Sequence, residues 1–147
     1  MALRATHFRR AGLAGGEPIG RVILDAQARH LRRKLITCEN GSEVLADFER
    51  PVQLEDGDCL VLEDGRLVKI VAAEEELMEI RGRDAGHLLK LAWHIGNRHL
   101  EAQIEEARIL IRHDKVIGHM LEHQGATIRE VKELFSPQHG AYHSHEH

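Results

Sequence analysis

The chain has 147 residues, with 24 acidic against 20 basic side chains and a formal net charge of −4. That length holds one ordinary domain or two small ones, and the mildly acidic balance gives no global electrostatic pull toward nucleic acid. No apolar run approaches the roughly 18 residues of a membrane span, and no signal-peptide core opens the sequence. Cys38 and Cys59 stand alone, without CxxC spacing. Their pattern points to a reducing cytoplasm and not to a secreted disulfide framework.

Residues 1–73 read as a small antiparallel β domain. "RVILDAQ" alternates Val22, Leu24 and Ala26 inward, and Asn40-Gly41 sits between two apolar runs, a hairpin signal. Asp56-Gly57 and Asp64-Gly65 repeat the device. Residues 1–34 carry eight Lys/Arg against two Asp/Glu, whereas 35–71 carry three against nine. Oppositely charged surfaces are therefore expected. The cluster "ARHLRRK" lacks the interleaved aromatics of a nucleic-acid patch, which favours a solvated or protein-facing strand.

After "AAEEE" the hydrophobic period changes. "LMEIRG" reads as a strand ending at Gly82. Asp84 can cap a helix to about Ile95, with Leu88, Leu91, Ala92 and Ile95 on one face and Gly96 in the left-handed position that ends it. "AQIEEARILIRH" gives two short strands. Asp114 can cap a second helix to about His123, with Val116, Met120 and Leu121 apolar and Gly125 closing it. "ATIREVKELF" is a last strand. The order β-α-β-β-α-β over residues 74–136 is the ferredoxin-like pattern, so the whole reads as α+β. From Pro137 a flexible histidine-rich tail, 137–147, is expected to leave the fold.

Histidine is the outlier: twelve in all, ten of them from His87 onward. Imidazole suits nickel, zinc and copper. His87 and His94 lie seven apart on the first helix, too far to hold one ion, and His94 reads as structural. His99 lies past the helix end, where its side chain need not follow the helix face, a good place for a binding group. "HMLEH", 119–123, matches H-x-x-E-H of one zinc protease class. A hydrolytic site also needs a third ligand and a cleft, for which a half-chain of this size leaves little room. A solvated helix face is the simpler reading. In the tail, His143, His145 and His147 alternate, so an extended chain can turn all three toward one ion, with moderate affinity and fast exchange.

Taken together, "LEDGDCLVLEDGRLVKIVAAEEELMEI", "AWHIGNRHL" and the histidine-rich end resemble the UreE family, urease accessory proteins that act as nickel chaperones. The resemblance covers essentially the whole chain, and "GNRH" is its most specific piece. It implies that His99, closing GNRH, is a metal ligand at a dimer interface, and that His113 in "RHDK" contributes to metal binding. The partner histidine expected two residues on is Lys115 here, a charged donor that cannot ligate, which weakens any site built from that pair. It further implies a homodimer that carries Ni(II) as cargo to the urease apoprotein together with an accessory GTPase. On a two-fold axis one histidine per chain becomes two ligands in an open shell, from which an ion can be passed on. Imidazole-rich sites also take Zn(II) or Cu(II). The competing functions are a zinc-dependent hydrolase built on His119, Glu122 and His123, and a passive metal store. A carrier with no catalytic residues, no membrane and no nucleic-acid partner is the expectation.

Overall fold

The computed structural model describes residues 3–13 and 15–138. The chain divides into two compact units, residues 1–73 and 74–147. Among the described residues no helix is long and apolar enough to cross a membrane.

The first unit is one six-stranded sheet of β1 (Leu3–Arg9), β2 (Gly20–Leu24), β3 (His30–Thr37), β4 (Glu43–Gln53), β5 (Cys59–Leu62) and β6 (Leu67–Ala72), ordered β2-β6-β5-β1-β4-β3. Period-two burial writes the core: Val44, Ala46 and Phe48 of β4 face inward with Val22, Ile36, Leu60, Val68 and Ile70. Asn40-Gly41 turns β3 into β4, and Asp64-Gly65 turns β5 into β6; both glycines sit at positive φ (+88° and +90°), as such tight turns demand. Asp56-Gly57 also turns tightly, but β1 separates the strands it joins.

The expectation of a purely antiparallel sheet needs correction here. β1 pairs with β4 in parallel, and β2 with β6. Parallel neighbours need a long crossover, and the strands lying between them in sequence supply it. The same topology corrects the expected split of surface charge. The acidic strand β4, and Asp58 and Glu63 at the two ends of β5, lie beside the basic strand β1, so the two segments neutralise each other. Arg4 meets Asp47 (2.9 Å) and Glu63 (3.2 Å), Arg10 meets Asp58 (2.7 Å), and Arg21 meets Glu39 (2.8 Å). Arg32, Arg33 and Lys34 stay exposed on the edge strand β3.

The second unit runs β7 (Glu74–Arg81), α1 (Ala85–Asn97), β8 (Gln103–Ile104), β9 (Ile109–Arg112), α2 (Lys115–His123), β10 (Thr127–Leu134). Its sheet is antiparallel, ordered β10-β7-β9-β8, which is the ferredoxin-like arrangement read from the sequence. Both helices bury apolar stripes on one sheet face: Leu88, Leu91 and Ile95 of α1, with Ile117 and Leu121 of α2, pack with Met78, Ile80, Ile109 and Ile111. Val116, expected on that stripe, is instead 76% exposed. The N-cap at Asp114 sets the helix phase so that Ile117 and Leu121, four apart, point inward.

On the opposite sheet face Glu79, its side chain only 4% exposed, accepts from Arg81 (3.0 Å), Arg108 (3.0 Å) and Arg129 (3.3 Å). The hydrogen bond from Arg81, with help from Arg108 and Arg129, holds its carboxyl below the usual carboxylate range. Glu133 is held low by Arg108 in the same way. The chain does not leave the fold at Pro137. Phe135 is fully buried beneath the Arg112 guanidinium (4.9 Å), Pro137 is buried, and the Gln138 N–H donates to the Ala102 carbonyl at 2.7 Å.

Candidate metal centre

Each helix of the second unit is followed by a residue in the left-handed position whose N–H donates to the carbonyl three residues back, and the residues that occupy it differ. α2 closes on Gly125 at φ +91°, whose N–H donates to Glu122 O (2.9 Å) while Ala126 N–H donates to Leu121 O (3.0 Å). Glycine is the usual occupant of that left-handed position because it has no Cβ to clash. α1 runs two residues beyond the expected end, through Asn97, and Gly96 remains helical. The left-handed position falls to His99, at φ +57°, whose N–H donates to Gly96 O at 3.0 Å. Packing explains the later stop. With the turn at residue 99, Leu100 folds back onto the cluster that holds Ile95, the apolar contact that accompanies this motif.

His99 is the one residue other than glycine at positive φ among the described residues. Its side chain is exposed, and among the described residues no hydrogen bond or ion pair engages its ring. A ring held just past the end of α1, with no partner among the described residues, offers its lone pair to an external acceptor.

The other histidines divide by what already holds them. His87 is buried, and both ring nitrogens are used: Nδ1 accepts from Arg83 N–H and Nε2–H donates to Gln124 O, each at 2.9 Å. It ties the start of α1 to the end of α2. His94 is half-buried in the last turn of α1, edge-on to Trp93 at 5.2 Å. His113, just past β9, meets Glu130 of β10, Nε2 to Oε1 at 2.9 Å. The pair lines a cleft of about 430 Å³ with Glu76, Leu77, Val131 and Lys132. Lys115 begins α2 and is exposed.

Among the described residues no three His, Cys, Asp or Glu side chains converge on a point that could hold a metal. His119, Glu122 and His123 are exposed on α2, and among the described residues no third ligand joins the two histidines. Cys38 and Cys59 are buried free thiols, and burial raises both thiol pKa values, so neither offers a thiolate at neutral pH. His143, His145 and His147 lie outside the described residues.

Two features escaped the sequence reading. Glu130 sits opposite His113 only because β10 pairs across the sheet, and no local signal marks it. Leu89 and Trp93, by contrast, were findable. They lie four apart on the side of α1 away from Leu88, Leu91 and Ile95, and are 73% and 65% exposed. Trp93 is thus a large apolar side chain left in solvent six residues before the left-handed His99.

Comparison with known proteins matches the UreE urease accessory protein N-terminal domain over residues 5–73 and its C-terminal domain over residues 75–147. The chain is 54% identical over 142 residues to the urease accessory protein UreE of Rhizobium etli (strain CIAT 652), covering 97% of this chain and 70% of that one. It is 56% identical over 142 residues to the UreE of Rhizobium rhizogenes (strain K84 / ATCC BAA-868), covering 97% and 85%. Against urease accessory protein UreE 1 of Brucella suis biovar 1 (strain 1330) it is 60% identical over 125 residues, covering 85% and 77%.

Proposed function

The chain belongs to the UreE family of urease accessory proteins, and from that premise we propose that it is a homodimeric carrier delivering Ni(II) for assembly of the urease metallocentre. The observation that carries the reading is His99. An exposed, unengaged imidazole occupies a backbone position that glycine fills at the equivalent end of α2. Strain retained at one exposed side chain is a mark of a functional position.

Leu89 and Trp93 support the dimer, because a second copy laid on this face of α1 would bury them. The two-fold axis would then bring two His99 rings to one ion and leave its other positions open. An open shell suits a carrier, since a closed four-ligand site holds its ion too firmly to hand on. His113 with Glu130, and His143, His145 and His147, would add weaker ligands around that centre. The β unit of residues 1–73 would dock the urease apoprotein and the accessory GTPase. No catalytic residue is assigned. The free thiols suit the cytoplasm.

Nickel calorimetry on the His99→Ala variant tests this reading. The unaltered dimer should bind one tight ion per two chains, and the variant should lose that class completely, because both chains lose their ligand at once. His94→Ala should keep it. Retention of the one-per-dimer site in His99→Ala would sink the assignment.

A further inference from the structure

We propose that His119 and His123 form a second, weaker nickel site on the outer face of α2, one per chain and separate from His99. The two residues are four apart in a helix that runs from Lys115 to His123. Residues at that spacing sit one above the other, with Cβ atoms roughly 5–6 Å apart, so both imidazoles can reach one ion without any backbone change. That is the same helical spacing by which paired histidines hold zinc in metalloproteases. Both side chains are exposed, and no hydrogen bond or ion pair among the described residues engages either ring. Each is therefore free to turn toward the other.

The local field has terms of both signs. His123 lies in the last turn, where the negative end of the helix dipole favours a bound cation. Lys115, one turn before His119, opposes it. Glu122 does not converge with the two histidines into a three-ligand set. The site therefore has two protein ligands, with water in the remaining positions, and holds its ion loosely. A loose, solvent-facing pair on the rigid unit that carries His99 suits capture and exchange of cargo. The inference rests on the proposed carrier role for the choice of metal alone, and its chemistry stands without His99.

The test uses the full chain titrated with nickel chloride, following the histidine ring proton signals by NMR alongside calorimetry. Signals of His119 and His123 should broaden together at the same nickel concentration. Removing either ring by His119→Ala or His123→Ala should release the other, and should weaken that binding class about tenfold or more, the loss expected when a second linked ligand is deleted. The double variant should lose no more than either single one. A His99→Ala sample run in parallel separates the two ideas: it should lose the tight class and keep the mutual dependence on α2. Rings on α2 that respond independently, or losses that add in the double variant, would show two solitary surface imidazoles and overturn the site.

Discussion

Replacing His99 by glycine should make the metal-free protein more stable while abolishing its tight nickel site. At φ +57° the backbone of residue 99 is left-handed, which costs an L-residue roughly 1–2 kcal/mol because Cβ crowds the following carbonyl. Histidine tolerates that region better than bulky or branched residues, so the low end, about 1 kcal/mol, applies. Glycine removes the clash, and its looser unfolded chain returns about 0.5 kcal/mol of that gain. Among the described residues the exposed ring makes no hydrogen bond whose loss would offset the difference. A net gain of about 0.5 kcal/mol remains, which for a unit of this size raises Tm by roughly 2–4 °C. Alanine keeps Cβ and hence the strain, so His99→Ala should melt within about a degree of the unaltered protein. Thermal unfolding of the three metal-free proteins by circular dichroism reads the order directly, with nickel calorimetry on the same samples. A glycine variant no more stable than the alanine variant would refute the left-handed assignment, and with it the claim that strain is kept at this position for its side chain.

Removing residues 139–147 should lower nickel capacity and leave the fold intact, because Phe135, Pro137 and Gln138, which anchor the last strand, all remain; calorimetry should still find the one-per-dimer site, and loss of all binding would make the tail the primary site. Glu79→Gln should destabilise the protein by about 2 kcal/mol or more, since three arginines lose a buried carboxylate. Because Glu79 has a depressed folded pKa, its contribution is fully present above the unfolded carboxyl pKa of about 4.3 and is lost as pH falls through the folded value. Urea midpoints between pH 7 and pH 3 should therefore converge for the two proteins only at the acid end. His87→Phe keeps an aromatic ring but strands the Arg83 N–H and the Gln124 carbonyl; it should cost about 1–3 kcal/mol in urea unfolding and leave nickel stoichiometry unchanged.

Much of the second unit could be read from the chain because its signals are local. Asp84 and Asp114 cap their helices by accepting from backbone N–H groups three residues on, His87 and Ile117. Gly41, Gly65 and Gly125 take positive φ where turns and a helix end require it. A residue's fit to such a role depends on neighbours within a few positions, and the β-α-β-β-α-β order follows from the periods between them. The same local logic misplaced the end of α1. Gly96 is the better left-handed residue, yet the turn came at His99 because Leu100 had to reach the core beside Ile95. Packing of one apolar side chain outweighed a strain of about 1 kcal/mol.

Pairings between residues far apart in sequence were beyond any such reading. The parallel partners β1 with β4 and β2 with β6, the cancelling of the basic N-terminal stretch by Asp47, Asp58 and Glu63, and the meeting of His113 with Glu130 all follow from strand order. The residue types at His99, His113, Lys115 and the histidines of α2 were plain in the sequence, and with them the chemistry available. Which imidazoles are already engaged, as at His87 and His113, and which have no partner among the described residues, as at His99, His119 and His123, was decided by the tertiary structure, because a ring nitrogen is consumed only by a donor or acceptor brought to it through space.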